Sequence, residues 1–79
     1  AFLMQQMEWR EALDDATTED ALDELDDMVQ SARKQALVKL ASVIDEQNDF
    51  AKAAQEVRAL MFIARFAHDV DMKHEQLAQ

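Results

Sequence analysis

The sequence contains no glycine, no proline, no cysteine and no tyrosine. Without glycine or proline a chain has few ways to turn sharply, so long helices joined by very short connections are the economical architecture. The absence of cysteine removes disulfides, thiolate metal sites and thiol chemistry together, and fits a reducing compartment. Basic residues are also scarce: 8 Lys and Arg face 17 Asp and Glu, for a formal net charge of -9. A nucleic-acid surface or an anionic membrane needs clustered lysine and arginine, so this balance points instead to a basic or polar protein partner. No apolar run approaches the length of a membrane span, and no basic-then-apolar leader is present. The chain opens on Ala1 rather than a methionine, which suggests a domain taken from a longer protein.

What is present suits helices. Of the 79 residues, 49% are hydrophobic, with alanine, leucine and methionine prominent. These side chains favour helix and serve strands poorly. The expected fold is all-α: a single domain whose small core supplies a net stability on the order of several kcal/mol.

Capping signals divide the chain into three helices, at about 1–16, 18–46 and 49–76. Thr17 and Thr18 interrupt the periodicity and are followed by Glu19 and Asp20, an N-cap with acids in the first turn. The second helix carries Leu22, Leu25, Val29, Ala32, Ala36, Leu40 and Val43 at three-and-four spacing, close to a heptad seam. Gln47-Asn48-Asp49 is polar and offers two capping residues. After it, Phe50, Ala53, Val57, Leu60, Ala64 and Ala67 restart a seam, with Met61 beside it, in a third helix expected to fray after Met72. Short connections make sequential helices antiparallel neighbours, so the architecture is an up-down-up three-helix bundle with a short first helix and two long ones.

The first helix is apolar on two opposite sides. At roughly 100° per residue, Phe2, Gln6, Trp9, Leu13 and Ala16 share one face while Leu3, Met4 and Met7 fall on the far side. One face is enough to build a core. Glu8, Glu11, Asp14 and Asp15 cluster on the surplus side, and from Glu8 to Asp27 the only base is Arg10. The second-helix part of this acidic stretch reads equally well as a solvated face. Reflecting the helices about their two turns sets Leu3 level with Ala32, Ile63 and Phe62, and Met7 level with Phe66 and Ala67. Phe62 lies off the third-helix seam, either exposed or facing the first helix. Leu3, Met4, Met7 and Phe62 can therefore form one apolar patch across two helices, bordered by acids.

Chemistry finds little support. His68, Asp71 and His74 stand at three-residue intervals, which can put ligands on one helical face, but nothing elsewhere completes a coordination set. Two surface histidines near a helix C-terminus, where positive charge suits the dipole, are the simpler account. Ser31 and Ser42 lie mid-helix without a histidine at an adjoining turn, and there is no glycine-rich phosphate loop. Neither an enzyme nor a cofactor or metal site is expected. Trp9, in line with Phe2 and Leu13, reads as a core anchor.

The opening segment Ala1-Phe2-Leu3-Met4-Gln5-Gln6-Met7-Glu8-Trp9-Arg10-Glu11-Ala12-Leu13-Asp14 resembles the start of the C-terminal domain of the HscB family, the J-type co-chaperones of iron–sulfur cluster assembly. The likeness extends along the chain, including Ala53-Ala54-Gln55-Glu56-Val57-Arg58-Ala59-Leu60-Met61-Phe62-Ile63. It implies a bacterial, cytoplasmic three-helix domain that holds the cluster scaffold protein IscU and presents it to the specialised Hsp70 HscA. Carried over residue by residue, the family's scaffold-contacting positions fall on Leu3, Met4, Met7, Glu8, Glu11, Asp15 and Phe62. Met7 stands where a leucine is more usual, and Asp15 where a longer glutamate is. The family's J domain, with its His-Pro-Asp motif, is absent from this proline-free chain, so the resemblance implies no Hsp70 ATPase stimulation by this segment. An alternative from another class is a helical oligomerisation or adaptor module whose spare face mediates self-association.

Overall fold

The computed structural model describes residues 2–78, apart from the side chains of Phe2 and Gln47. Among them run three helices, α1 (Phe2–Asp15), α2 (Glu19–Ser42) and α3 (Phe50–Ala78), with a π-helical turn, Val43–Gln47, closing α2. There is no strand among the described residues, and the all-α bundle measures 47 × 20 × 15 Å. The expected core place of Phe2 lies outside the described residues.

Each boundary has a local cause. Between α1 and α2 the Thr18 hydroxyl oxygen accepts from the Ala21 N–H at 3.1 Å, with Glu19 and Asp20 in the first turn of α2. This satisfies one of the donors a helix start leaves open, and the two acids complement its dipole. The α2–α3 turn needs one left-handed residue in a chain without glycine. Asn48 takes it at φ 53°, and its N–H donates to the Val43 carbonyl. Asparagine tolerates that region better than other side chains do. The neighbouring Asp49 then starts α3, its carboxylate accepting from the Lys52 N–H at 3.1 Å.

The core sits where all three helices overlap. Trp9, Leu13 and Ala16 of α1 meet Leu22, Leu25 and Val29 of α2 and Ile63, Phe66 and Val70 of α3. Beyond the N-terminal end of α1 only α2 and α3 remain. There Ala36 and Leu40 of α2 and Ala59 and Leu60 of α3 are half-buried, with Val43 and Ala53 buried near the turn.

Two expectations are corrected. The α3 seam runs through Ala53, Glu56, Leu60, Ile63, Ala67 and Val70, with Phe66 alongside, whereas Phe50, Val57, Met61 and Ala64 are exposed. Both registers satisfy three-and-four spacing, because α3 is apolar on more than one side. Glu56 breaks the true one in sequence, but in the fold this half-buried carboxylate reaches Lys39 of α2 at 3.3 Å. Nor does α3 fray after Met72. It continues to Ala78, held by Lys73, whose ammonium donates to the Leu13 and Asp14 carbonyls, and by His74, 3.5 Å from the Asp23 carboxylate.

Candidate protein-docking site

The α1–α3 junction is built from rings. Trp9 lies 5.1 Å from Phe66 and 5.4 Å from Phe62, centroid to centroid, and the two phenylalanines are 6.0 Å apart. All three pairs are tilted, within the separation at which aromatic pairs attract beyond their burial. Arg10 adds a second fastening: its guanidinium pairs with Asp69 at 2.9 Å and lies 5.9 Å from the Phe66 centroid. Lys73 supplies a third by satisfying the carbonyls at the end of α1, where a cation also complements the helix dipole. The rotation of α1 about its axis is thereby fixed, and with it which side chains face outward.

Those that face outward are the surplus apolar residues. Leu3, Met4 and Met7 are 68%, 62% and 57% exposed. Phe62 is half-buried, with one part of its ring against Trp9. Leu3, Met7 and Phe62 line one shallow groove along the α1–α3 junction, with Gln6, Arg10, Glu11 and Arg65 completing it. The floor is thus apolar and the rim carries charges of both signs. A hollow of this kind suits one or two apolar side chains of a partner flanked by polar contacts.

The residues carried over from the resemblance divide in two. Leu3, Met7, Glu11 and Phe62 converge on the groove. Met4, Glu8 and Asp15 do not line it: they are exposed on the part of α1 that turns toward α2, and Asp15 borders a different hollow with Ala12, Ala21 and Met28. Helix geometry accounts for the split, since Glu8 and Asp15 are seven residues apart on one stripe, roughly 120–140° around α1 from Leu3. Arg10 and Arg65 were not among the expected site residues. The signal for Arg65 is its place one helical turn after Phe62.

No helix among the described residues is long and apolar enough to cross a membrane. Likewise, no three His, Asp or Glu side chains among them are grouped to hold a metal ion. His68 is exposed and His74 is occupied with Asp23.

Comparison with known proteins gives a consistent family. A family model described as the HSCB C-terminal oligomerisation domain matches residues 1–71. The chain is 46% identical over 71 residues to a protein of Bordetella petrii named co-chaperone protein HscB homolog, covering 89% of this chain and 42% of that one. It is 42% identical to the protein of the same name from Pseudoalteromonas atlantica, covering 99% and 48%. With the homolog from Burkholderia multivorans it shares 45% identity, covering 98% and 45%. The chain thus spans less than half the length of these curated relatives. No solved structure matches it.

Proposed function

Since the chain belongs to the HscB C-terminal domain family, we propose that it is the client-binding domain of an iron–sulfur cluster co-chaperone, which holds the scaffold protein IscU and delivers it to the Hsp70 HscA. The observation that carries this reading is the groove in which Leu3 and Met7 of α1 meet Phe62 of α3, greasy at its floor and charged at its rim. Covering Leu3 or Met7 contributes roughly 1.5–3 kcal/mol each before the costs of ordering, enough for the centre of a modest, reversible interface. Methionine is flexible and polarizable, so Met7 can take the place of a leucine against an irregular partner. Glu8, Glu11 and Asp15 act mainly on encounter: their charge steers a basic partner and makes association salt-dependent.

The domain works without chemistry of its own. It is a binding module of the bacterial cytoplasm, not an enzyme, and has no nucleic acid or membrane among its partners. A His-Pro-Asp motif requires proline, which the sequence lacks, so stimulation of the Hsp70 ATPase lies outside this segment. Titration of the chain into labelled scaffold tests the proposal. Leu3→Ala weakens binding by about tenfold or more while leaving helicity unchanged, because Leu3 is mostly exposed and not part of the core. Unaltered affinity in Leu3→Ala and Met7→Ala together would remove the groove from the interface.

A second reading, self-association, is favoured by the matching family's own description as an oligomerisation domain. Sedimentation at several concentrations separates it from a purely monomeric adaptor.

A further inference from the structure

A pair of antiparallel helices is one layer with two faces, and each apolar face needs a second layer over it. α1 covers one face of the α2–α3 hairpin, and a groove lined by Gln35, Lys39, Gln55 and Ala59 continues on that same side past the start of α1. On the opposite face nothing among the described residues lies over the hairpin. Helical geometry places Leu37 and Leu40 of α2 and Ile44 of the π-helical turn there beside Val57 and Leu60 of α3. The Lys39–Glu56 pair sets the register, so these five side chains fall within roughly 14 Å along the bundle. Leu37, Ile44 and Val57 remain 47%, 44% and 44% exposed, and Leu40 and Leu60 are half-buried between them.

We propose that a second copy of this chain covers this face, the two hairpins packing the same surface against each other as a four-helix bundle. This rests on the self-association reading above and assigns it to a face, one turned away from the Leu3–Met7–Phe62 groove. Charge selects the occupant. Between Glu8 and Asp27 every charged residue except Arg10 is acidic, so the α1–α2 end of one molecule repels the same end of another. Between Arg33 and Arg65 the sign reverses: Arg33, Lys34, Lys39, Lys52, Arg58 and Arg65 outnumber Asp45, Glu46, Asp49 and Glu56. Like copies therefore meet with least repulsion through the part of the hairpin that carries the apolar face. A two-fold axis in the interface plane and across the helices makes the contact self-complementary and sends the two acidic ends in opposite directions. In a molecule 47 Å long those ends are then separated by far more than the Debye length of about 8 Å. Both client grooves stay open in such a dimer.

Sedimentation of the chain from low to high micromolar concentration, with helicity of every variant checked by circular dichroism, tests this. The expected result is a reversible monomer–dimer equilibrium whose Kd rises at least tenfold in Leu37→Glu and again in Val57→Lys, and does not change in Met7→Glu. Both substituted positions are solvent-facing in the monomer, so helicity is retained. A dimer indifferent to Leu37→Glu and Val57→Lys but lost in Met7→Glu overturns the assigned face and moves self-association to α1. A chain that stays monomeric throughout overturns self-association altogether, without touching the client reading, which the Leu3→Ala titration decides.

Discussion

The two ends of this bundle are built on different principles. Where α1 overlaps α2 and α3, large side chains interlock: Trp9, Leu13, Leu22, Val29, Phe66 and Val70 are all buried. Toward the α2–α3 turn Val43 and Ala53 are buried, Ala36, Leu40, Ala59 and Leu60 are only half-buried, and Leu37, Val38, Ile44, Phe50 and Val57 are exposed. The first end has its second layer within the chain, and the second end does not. Stability at an end follows buried apolar area, so the three-helix end carries most of the folding free energy while the two-helix end leaves apolar surface exposed.

The strongest challenge to that contrast is Trp9→Ala. It removes the ring that joins α1 to Phe62 and Phe66 and leaves a void in the packed end. The expected loss is on the order of 3–5 kcal/mol, read from chemical denaturation followed by circular dichroism. In a domain whose total is about 4–12 kcal/mol, that leaves a marginal fold. A loss below about 1 kcal/mol would mean that α1 contributes little and that the two ends are equally stable.

Native-state hydrogen exchange compares the ends directly. Amides of α2 around Leu25 to Val29 and of α3 around Phe66 to Val70 should open only with global unfolding, while those from Leu37 to Val43 and from Ala53 to Val57 open at lower free energy. The gap is expected to be about 1–3 kcal/mol at low protein concentration, and association through the exposed hairpin face narrows it as concentration rises. Equal protection at both ends in dilute monomer would contradict the contrast drawn from burial.

How much of this contrast the sequence carries differs between α1 and α3. In α1 the two apolar stripes are separated by half a turn, and the acids crowd one of them, so periodicity alone divides core residues from exposed ones. Trp9, Leu13 and Ala16 are buried, whereas Leu3, Met4 and Met7 are not. The antiparallel register likewise follows from counting residues about the turns, which is how Leu3 and Phe62 come to share a height. In α3 the same method places Ala53, Leu60 and Ala67 correctly but not Phe50, Val57 and Ala64, which continue one seven-residue rhythm while Ile63 and Val70 belong to another. Only contact with Lys39 makes Glu56 acceptable at a half-buried position, and a sequence read one helix at a time holds no record of that contact. The rejected seam is informative nonetheless: it marks the face that this chain leaves uncovered.

Arg10 and Lys73 show a further limit of sequence reading. Each is a lone cation in an acidic neighbourhood, and each reaches across to a helix far away in the chain, Arg10 to Asp69 and Lys73 to the carbonyls that end α1. Lys73→Ala is predicted to cost about 1–2 kcal/mol, because a partly buried helix end loses a charged donor while its carbonyls stay where they are. The same variant should raise hydrogen exchange in the last turn of α1 ahead of any change near Leu37. Loss of protection at both places together would show that α1 and the hairpin tip are one cooperative unit.

The smallest effect is expected at Lys39→Ala, in the two-helix end. The Lys39–Glu56 pair spans α2 and α3 at 3.3 Å, with the lysine side chain 62% exposed and the glutamate largely shielded. An exposed partner limits the Coulomb gain and adds the entropy of holding a long side chain in place, so pairs of this kind contribute roughly 0–1 kcal/mol. Truncation also leaves the shielded Glu56 without its cation, which pushes the cost toward the upper end of that range. Melts of Lys39→Ala and of the double variant Lys39→Ala with Glu56→Gln separate these two contributions. If the pair itself stabilises the tip, the double variant is no more stable than the single one; if the uncompensated carboxylate is the main loss, neutralising Glu56 restores most of it. Recovery in the double variant is the expected outcome, since the exposed lysine limits what the pair contributes while the shielded carboxylate keeps its desolvation cost once the lysine is gone.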